Sequence, residues 1–203
     1  LGGVQALLVL VEPQRVRRVI EQRIIKVNPS PPLIIVGSAD DILRCASAVL
    51  ARRLSEKTAY KAPELSFLSG ILHDVGRMVL WVNFPDEYGK VLQAARNQSE
   101  ALLEGELKMG ITHAEVGSWL LNRWGLDAFT ADAARYHHEP LERIHNAFPL
   151  IKIIYAANIL SDMPDSDFSR YKVIRELFGI SFTDITDMLS AAQEEVRELA
   201  EAL

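Results

Sequence analysis

Five histidines stand at positions 73, 113, 137, 138 and 145 of the 203-residue chain, and their neighbours decide what chemistry is open to them. His73 precedes Asp74 inside LSGILHDVGRMVL (68–80), a run that is otherwise almost wholly apolar. A carboxylate buried in such a run is unfavourable without a partner, so Asp74 needs a cation or several hydrogen-bond donors. His113 falls in the first turn of one helical pattern, and the pair His137–His138 closes another 24 residues later. Imidazole plus carboxylate is a ligand set suited to zinc, manganese or iron. Each of these histidines taken alone also fits a hydrogen-bonded core or helix-end residue. The combination of an HD pair, a single histidine and an HH pair is the pattern that points to a metal. On that reading the candidate metal ligands are His73, Asp74, His113, His137 and His138.

The elements that must carry these residues read as helices nearly throughout. Ser38, followed by Asp40 and Asp41, begins a helix with an apolar stripe at Ala46, Val49, Leu50 and Leu54. Pro63 and Glu64 open the next, which is expected to run through His73 and Asp74. Gly70 and Gly76 flank the pair, and close approach of a neighbouring helix is the expected reason for them. Pro85 opens another helix and Gly110 stops one. Thr112 and Glu115 then make a capping box ahead of Val116, Trp119, Leu120 and Trp124. Gly125 and Asp127 mark the next boundary, Pro149 opens a helix with Ile151, Ile154, Tyr155 and Ile159, and Ser181 or Thr183 caps a last one with Leu189, Val196 and Leu199 inward. Only LIIV at 33–36 offers a short strand. The fold class expected is all-α, a multi-helix bundle.

Composition narrows the function classes. Hydrophobic residues make up 49% and charged residues 24%, a globular balance, and the net charge of −5 gives no general attraction to nucleic acid or an anionic membrane. A basic cluster, Arg15, Arg17, Arg18, Arg23 and Lys26, reads as a solvated helix side. The single cysteine, Cys45, excludes an internal disulfide and fits a reducing, cytoplasmic setting as a buried small residue. ALLVLV at 6–11 is too short to span a bilayer. The chain opens on Leu1 rather than Met, so a piece of a longer protein is expected.

FLSGILHDVGRMVL (67–80), THAEVGSWLLNRWGLD (112–127) and AARYHHEP (133–140) together resemble the HDOD domain, a bacterial signalling relative of the HD and HD-GYP metal phosphohydrolases. The resemblance implies an HD-domain-like bundle. It places His73 and Asp74 on the HD pair, His113 on the middle histidine, and His137 and His138 on the HH pair. Two family positions depart from the hydrolytic pattern: Arg44 stands about where an upstream histidine is expected, and Asn158 replaces a late aspartate. The GYP signature is absent after HHEP. Guanidinium adds a fixed positive charge beside an ion site, and amide is a poorer ligand than carboxylate.

These departures imply a non-catalytic signal-transduction module, acting through a partner signalling protein or domain, or by sensing a nucleotide-like ligand. The competing expectation is a metal-dependent phosphohydrolase or phosphodiesterase, with manganese, iron or zinc on the five residues and Arg77 on a phosphate. Neither nucleic acid nor membrane is an expected partner, and a homodimer is the remaining candidate assembly. The expected division is 1–38, a remnant of an N-terminal helical part with the Pro-Ser-Pro-Pro linker at 29–32; 39–165, the HDOD-like core; and 166–203, C-terminal helices packed on it.

Overall fold

The computed structural model describes residues 39–96, 98–162 and 169–201. The expectations for the basic cluster, the linker, the 33–36 strand and the N-terminal remnant lie outside them, as do the side chains of Arg44 and Cys45. Eleven helices run through the described residues, and no strand occurs among them. They are α1 (Ala39–Lys57), α2 (Pro63–Leu72), α3 (Val75–Asn83), α4 (Pro85–Ala95), α5 (Ser99–Met109), α6 (His113–Arg123), α7 (Ala128–Tyr136), α8 (Leu141–Ile144), α9 (Pro149–Ser161), α10 (Ser169–Phe178) and α11 (Phe182–Glu201).

The boundaries follow local chemistry. Thr112 and Glu115 form the full reciprocal capping box at the start of α6, worth about 1 kcal/mol. Asp127 accepts from the Phe129 N–H at the start of α7, and Ser181 Oγ accepts from the Asp184 N–H ahead of α11. Gly110 and Gly125 take the positive φ angles that end α5 and the turn after α6. Pro63, Pro85 and Pro149 each occupy a helix start.

The segment 63–83 is apolar and long enough to cross a bilayer by composition. Instead it breaks into α2 and α3 at His73–Asp74, and it supplies Leu72, Val75 and Leu80 to the interior. The single helix expected through the pair is therefore two. A straight helix would turn His73 and Asp74 about 100° apart; at the break Asp74 joins the cluster described below, and His73 stays beside it, its Nε2 3.8 Å from Asp74 Oδ2.

Two apolar clusters fill the bundle. One joins α1, α9 and the C-terminal helices through Val49, Leu50, Leu54, Ile153, Ile154, Ile174, Ile185 and Met188. The other joins α2–α7 through Leu72, Leu80, Tyr88, Ile111, Val116, Leu121 and Ala134. Trp119 and Trp124 pack against the second cluster, as core residues should. Leu189 and Val196 face inward as expected; Leu199 does not and is 39% exposed. The glycines do what close approach requires: a Cβ on Gly70 would lie 2.5 Å from Ala48 Cα, and one on Gly76 would lie 1.9 Å from the His113 carbonyl oxygen.

Candidate metal centre

Gly76 brings α3 against the start of α6, and this contact carries Asp74 to His113. His137 and His138 arrive from the C-terminal end of α7, which packs along α6. Asp74, His113, His137 and His138 thus converge, each offering one ligand atom, with those atoms all within 4.8 Å of one another. Four separations are tighter still. His113 Nε2 lies 3.3 Å from His137 Nε2, 3.1 Å from His138 Nε2 and 3.2 Å from Asp74 Oδ1, and His137 Nε2 lies 3.4 Å from the same oxygen. Ligand bonds of about 2.0–2.1 Å arranged tetrahedrally give edges of about 3.3–3.4 Å. The donor set therefore fits a single divalent ion of the zinc, manganese or iron kind.

Hydrogen bonding on the far side of two of the three rings supports that fit. His137 Nδ1 lies 2.8 Å from the Ala134 carbonyl oxygen and so donates to it, which leaves the Nε2 lone pair facing inward. His113 Nδ1 donates to the Glu106 carboxylate, at 2.9 Å from Oε1 and 2.8 Å from Oε2. Lone pairs meeting at these distances repel unless a proton or a cation sits among them. Without an ion that role falls to one proton on His113. Burial works against a charged His113, but the Glu106 and Asp74 carboxylates override it and raise its pKa to about 9. Burial pushes His137 down to about 4, and burial followed by the neighbouring imidazoles pushes His138 well down, so both stay neutral near pH 7. Burial alone would raise Asp74; His73, His113 and His137 outweigh it and hold the carboxyl well below the usual range.

His73 reaches the same neighbourhood but faces differently. Its Nδ1 donates to the Gly70 carbonyl oxygen at 2.7 Å, and its Nε2 lies 3.3 Å from Asn158 Oδ1 and 3.8 Å from Asp74 Oδ2. Four of the five expected ligands are brought together, and His73 pairs with the amide that stands in the aspartate position. Arg77, expected to meet a phosphate, has Nη1 3.2 Å from Asp74 Oδ2, so the two oxygens of Asp74 divide between arginine and imidazoles. Glu139 pairs with Arg143 on the surface at 2.8 Å. His145 pairs with Glu176, away from the cluster.

Two residues of the site escaped the sequence reading: Glu106 and Tyr88, whose hydroxyl donates to Glu106 Oε1 at 2.8 Å. A glutamate seven residues before a candidate ligand, just ahead of the Gly110 stop, was the available signal.

A cleft of about 270 Å³ opens onto His137, His138 and Asn158. Glu100, Glu139 and Asp162 line it together with Leu103, Ile159 and Val173.

Comparison with known proteins identifies the family and the fold. Residues 20–140 match the family model described as HDOD domain. An uncharacterised protein of Treponema pallidum (strain Nichols) is 27% identical over 140 residues, which is 68% of this chain and 26% of that protein. The chain thus spans about a quarter of that relative's length. Among solved structures, an HDOD domain protein of unknown function from Geobacter sulfurreducens superposes with a TM-score of 0.55 at 24% identity, covering 78% of this chain and 60% of that one. A "Putative phosphohydrolase" from Shewanella amazonensis SB2B superposes at 0.58 and 18% identity, covering 98% and 73%. At these identities the likeness to both structures concerns the fold.

Proposed function

The chain belongs to the HDOD domain family, and on that premise we propose that it is a non-catalytic signalling module whose Asp74, His113, His137 and His138 hold one divalent transition ion. The observation that carries the reading is the donor set: four side chains bring one ligand atom each within 4.8 Å of one another, and four of the six separations lie at 3.1–3.4 Å, close to tetrahedral edges. Structural sites take four protein ligands, whereas catalytic ones keep a position open for water. His73, the fifth candidate, is engaged with Asn158, where an amide replaces the carboxylate that hydrolytic relatives are expected to use. A bound ion would supply cross-linking of α3, α6 and α7, and the chain's own residues would hold their rings in place around it. The module would act on a partner signalling protein or domain in the cytoplasm, through the packing of these helices.

The cleft beside His137 and His138 supports a second reading, a metal-dependent phosphohydrolase, because it gives solutes a route to the cluster. Its three carboxylates weigh against a polyanionic substrate or nucleotide-like ligand. The deciding experiment loads purified protein with Mn²⁺, Fe²⁺ or Zn²⁺ and assays phosphodiesters and nucleotides. One ion per chain with no turnover is expected. Turnover that disappears in Asp74→Asn overturns the non-catalytic reading.

A further inference from the structure

Glu106 is fully buried, and among the described residues no lysine or arginine pairs with it. A carboxylate in that position is retained only if its oxygens are satisfied. Three of its four hydrogen bonds end on one residue. Oε1 and Oε2 both accept from His113 Nδ1, and Oε2 also accepts from the His113 backbone N–H at 2.9 Å; Tyr88 supplies the fourth. Ring and backbone of His113 are thus gripped together, at the first residue of α6. The route that brings Glu106 there is local. Gly110 turns the chain at the end of α5, its N–H and that of Ile111 bond to the Glu106 carbonyl oxygen, and His113 returns over the last turn of α5.

The other two rings with a described outer bond are held differently. His137 and His73 each donate Nδ1 to the backbone carbonyl three residues earlier, Ala134 and Gly70. Those anchors come with the helix. His113 alone of the three takes its orientation from a side chain, so its orientation is separable from the fold.

We propose that Glu106 is a positioning residue for the metal centre: it keeps the Nδ1 proton of His113 in place and points Nε2 at the spot shared with Asp74, His137 and His138. The assignment rests on the metal-binding reading above. Carboxylates that hold a ligating imidazole in this way also raise its basicity, and losing one typically costs 10–100-fold in affinity, by the general behaviour of such pairs.

The test compares wild type with Glu106→Gln, which keeps the shape but offers one acceptor oxygen where three donors meet. Zn²⁺ affinity is measured by chelator competition, and the His113 Nδ1 proton of the Zn²⁺-loaded protein is followed by ¹⁵N–¹H NMR. Affinity should fall about 10–100-fold, and the protected Nδ1 proton of wild type should shift or vanish. Tyr88→Phe leaves every His113 contact intact and should keep affinity within about 3-fold, well short of that range. A Glu106→Gln protein that melts earlier yet binds Zn²⁺ as tightly as wild type would reduce Glu106 to a structural anchor and overturn the assignment. Wild type that takes up no Zn²⁺, Mn²⁺ or Fe²⁺ defeats the metal reading, and the assignment with it. If Glu106→Gln does not fold, the wild-type spectrum decides: a Zn²⁺-loaded His113 without an Nδ1 proton overturns the proposal.

Discussion

Gly76 and His113 touch backbone to backbone, so closely that a methyl group on the glycine would sit 1.9 Å from the His113 carbonyl oxygen and 2.7 Å from the Gly117 nitrogen. Neither atom belongs to a side chain that can swing aside. The packing of α3 on α6 and the approach of Asp74 to His113 are therefore one event. Gly76→Ala should lower stability by at least the upper end of the ~1–3 kcal/mol usual for overpacking. Gly125→Ala, at φ +74° with nothing near its Cβ, is the control and should cost ~1 kcal/mol. Urea denaturation of both variants measures the difference, and equal losses would contradict the close contact.

Metal uptake should be one ion per chain. Asp74→Asn and His137→Ala should each weaken it by at least about 100-fold, more than loss of an outer hydrogen bond costs. His145→Ala should leave it unchanged, because that imidazole pairs with Glu176 elsewhere. Metal analysis after dialysis against a weak chelator separates the three variants.

Uptake should also release a proton. At pH 7 His113 carries the extra proton in the metal-free protein, its pKa having been raised to about 9 by Glu106 and Asp74 against the effect of burial. An ion on Nε2 displaces it. Calorimetry in two buffers of different ionisation enthalpy should give close to one proton per ion at pH 7. Affinity should rise with pH and level off near 9.

Metal-free protein should be most stable at intermediate pH. His113 has a folded pKa above its ordinary value, so its contribution is complete below about 6.5 and fades as pH rises through about 9. His137 is depressed to about 4, so between its ordinary value and 4 the unfolded chain takes up a proton the fold refuses, and stability falls with falling pH. His138 acts in the same direction, and Asp74 adds to the acid side at lower pH still. Melting temperature across pH 4–10 checks the dome, and saturating Zn²⁺ should flatten its alkaline limb.

Removing residues 166–203 should unfold the remainder. Ile174, Ile185 and Met188 lie in the same cluster as Val49, Leu50 and Leu54, at 0–4% exposure. Uncovering such side chains costs about 1.5–3 kcal/mol each, comparable in sum with the ~5–15 kcal/mol that holds a whole domain together. Arg52 and Arg53 would also lose their shared partner Glu195 on α11. A shortened chain with a cooperative melt would mark the C-terminal helices as a separable layer.

The parts of this molecule legible in its sequence are those governed by neighbours in the chain. Thr112 and Glu115 announce their capping box because both partners lie within four residues. Gly110 and Gly125 announce their turns because few residues tolerate positive φ. The convergence of Asp74, His113, His137 and His138 was legible for another reason: aspartate and histidine in apolar surroundings require partners. Glu106 offered only its spacing, seven residues before His113. It sits among Glu100 and Glu104, and nothing local tells which of the three turns inward; that depends on Tyr88 and His113 meeting it across helices. The break between α2 and α3 was hidden similarly, because no proline or exposed glycine marks it, and the tertiary contact of Gly76 sets the path there.

Asp74, His113 and His137 come from stretches of chain 39 and 24 residues apart, in three different helical segments. A guest ion held by them would tie two loops at once, as a detachable rivet in place of a disulfide. Closing loops of that length removes far more freedom from the unfolded chain than from the native one. Metal supply would thereby set how firmly the middle of the bundle is fastened, while the outer helices stay assembled by their own apolar contacts.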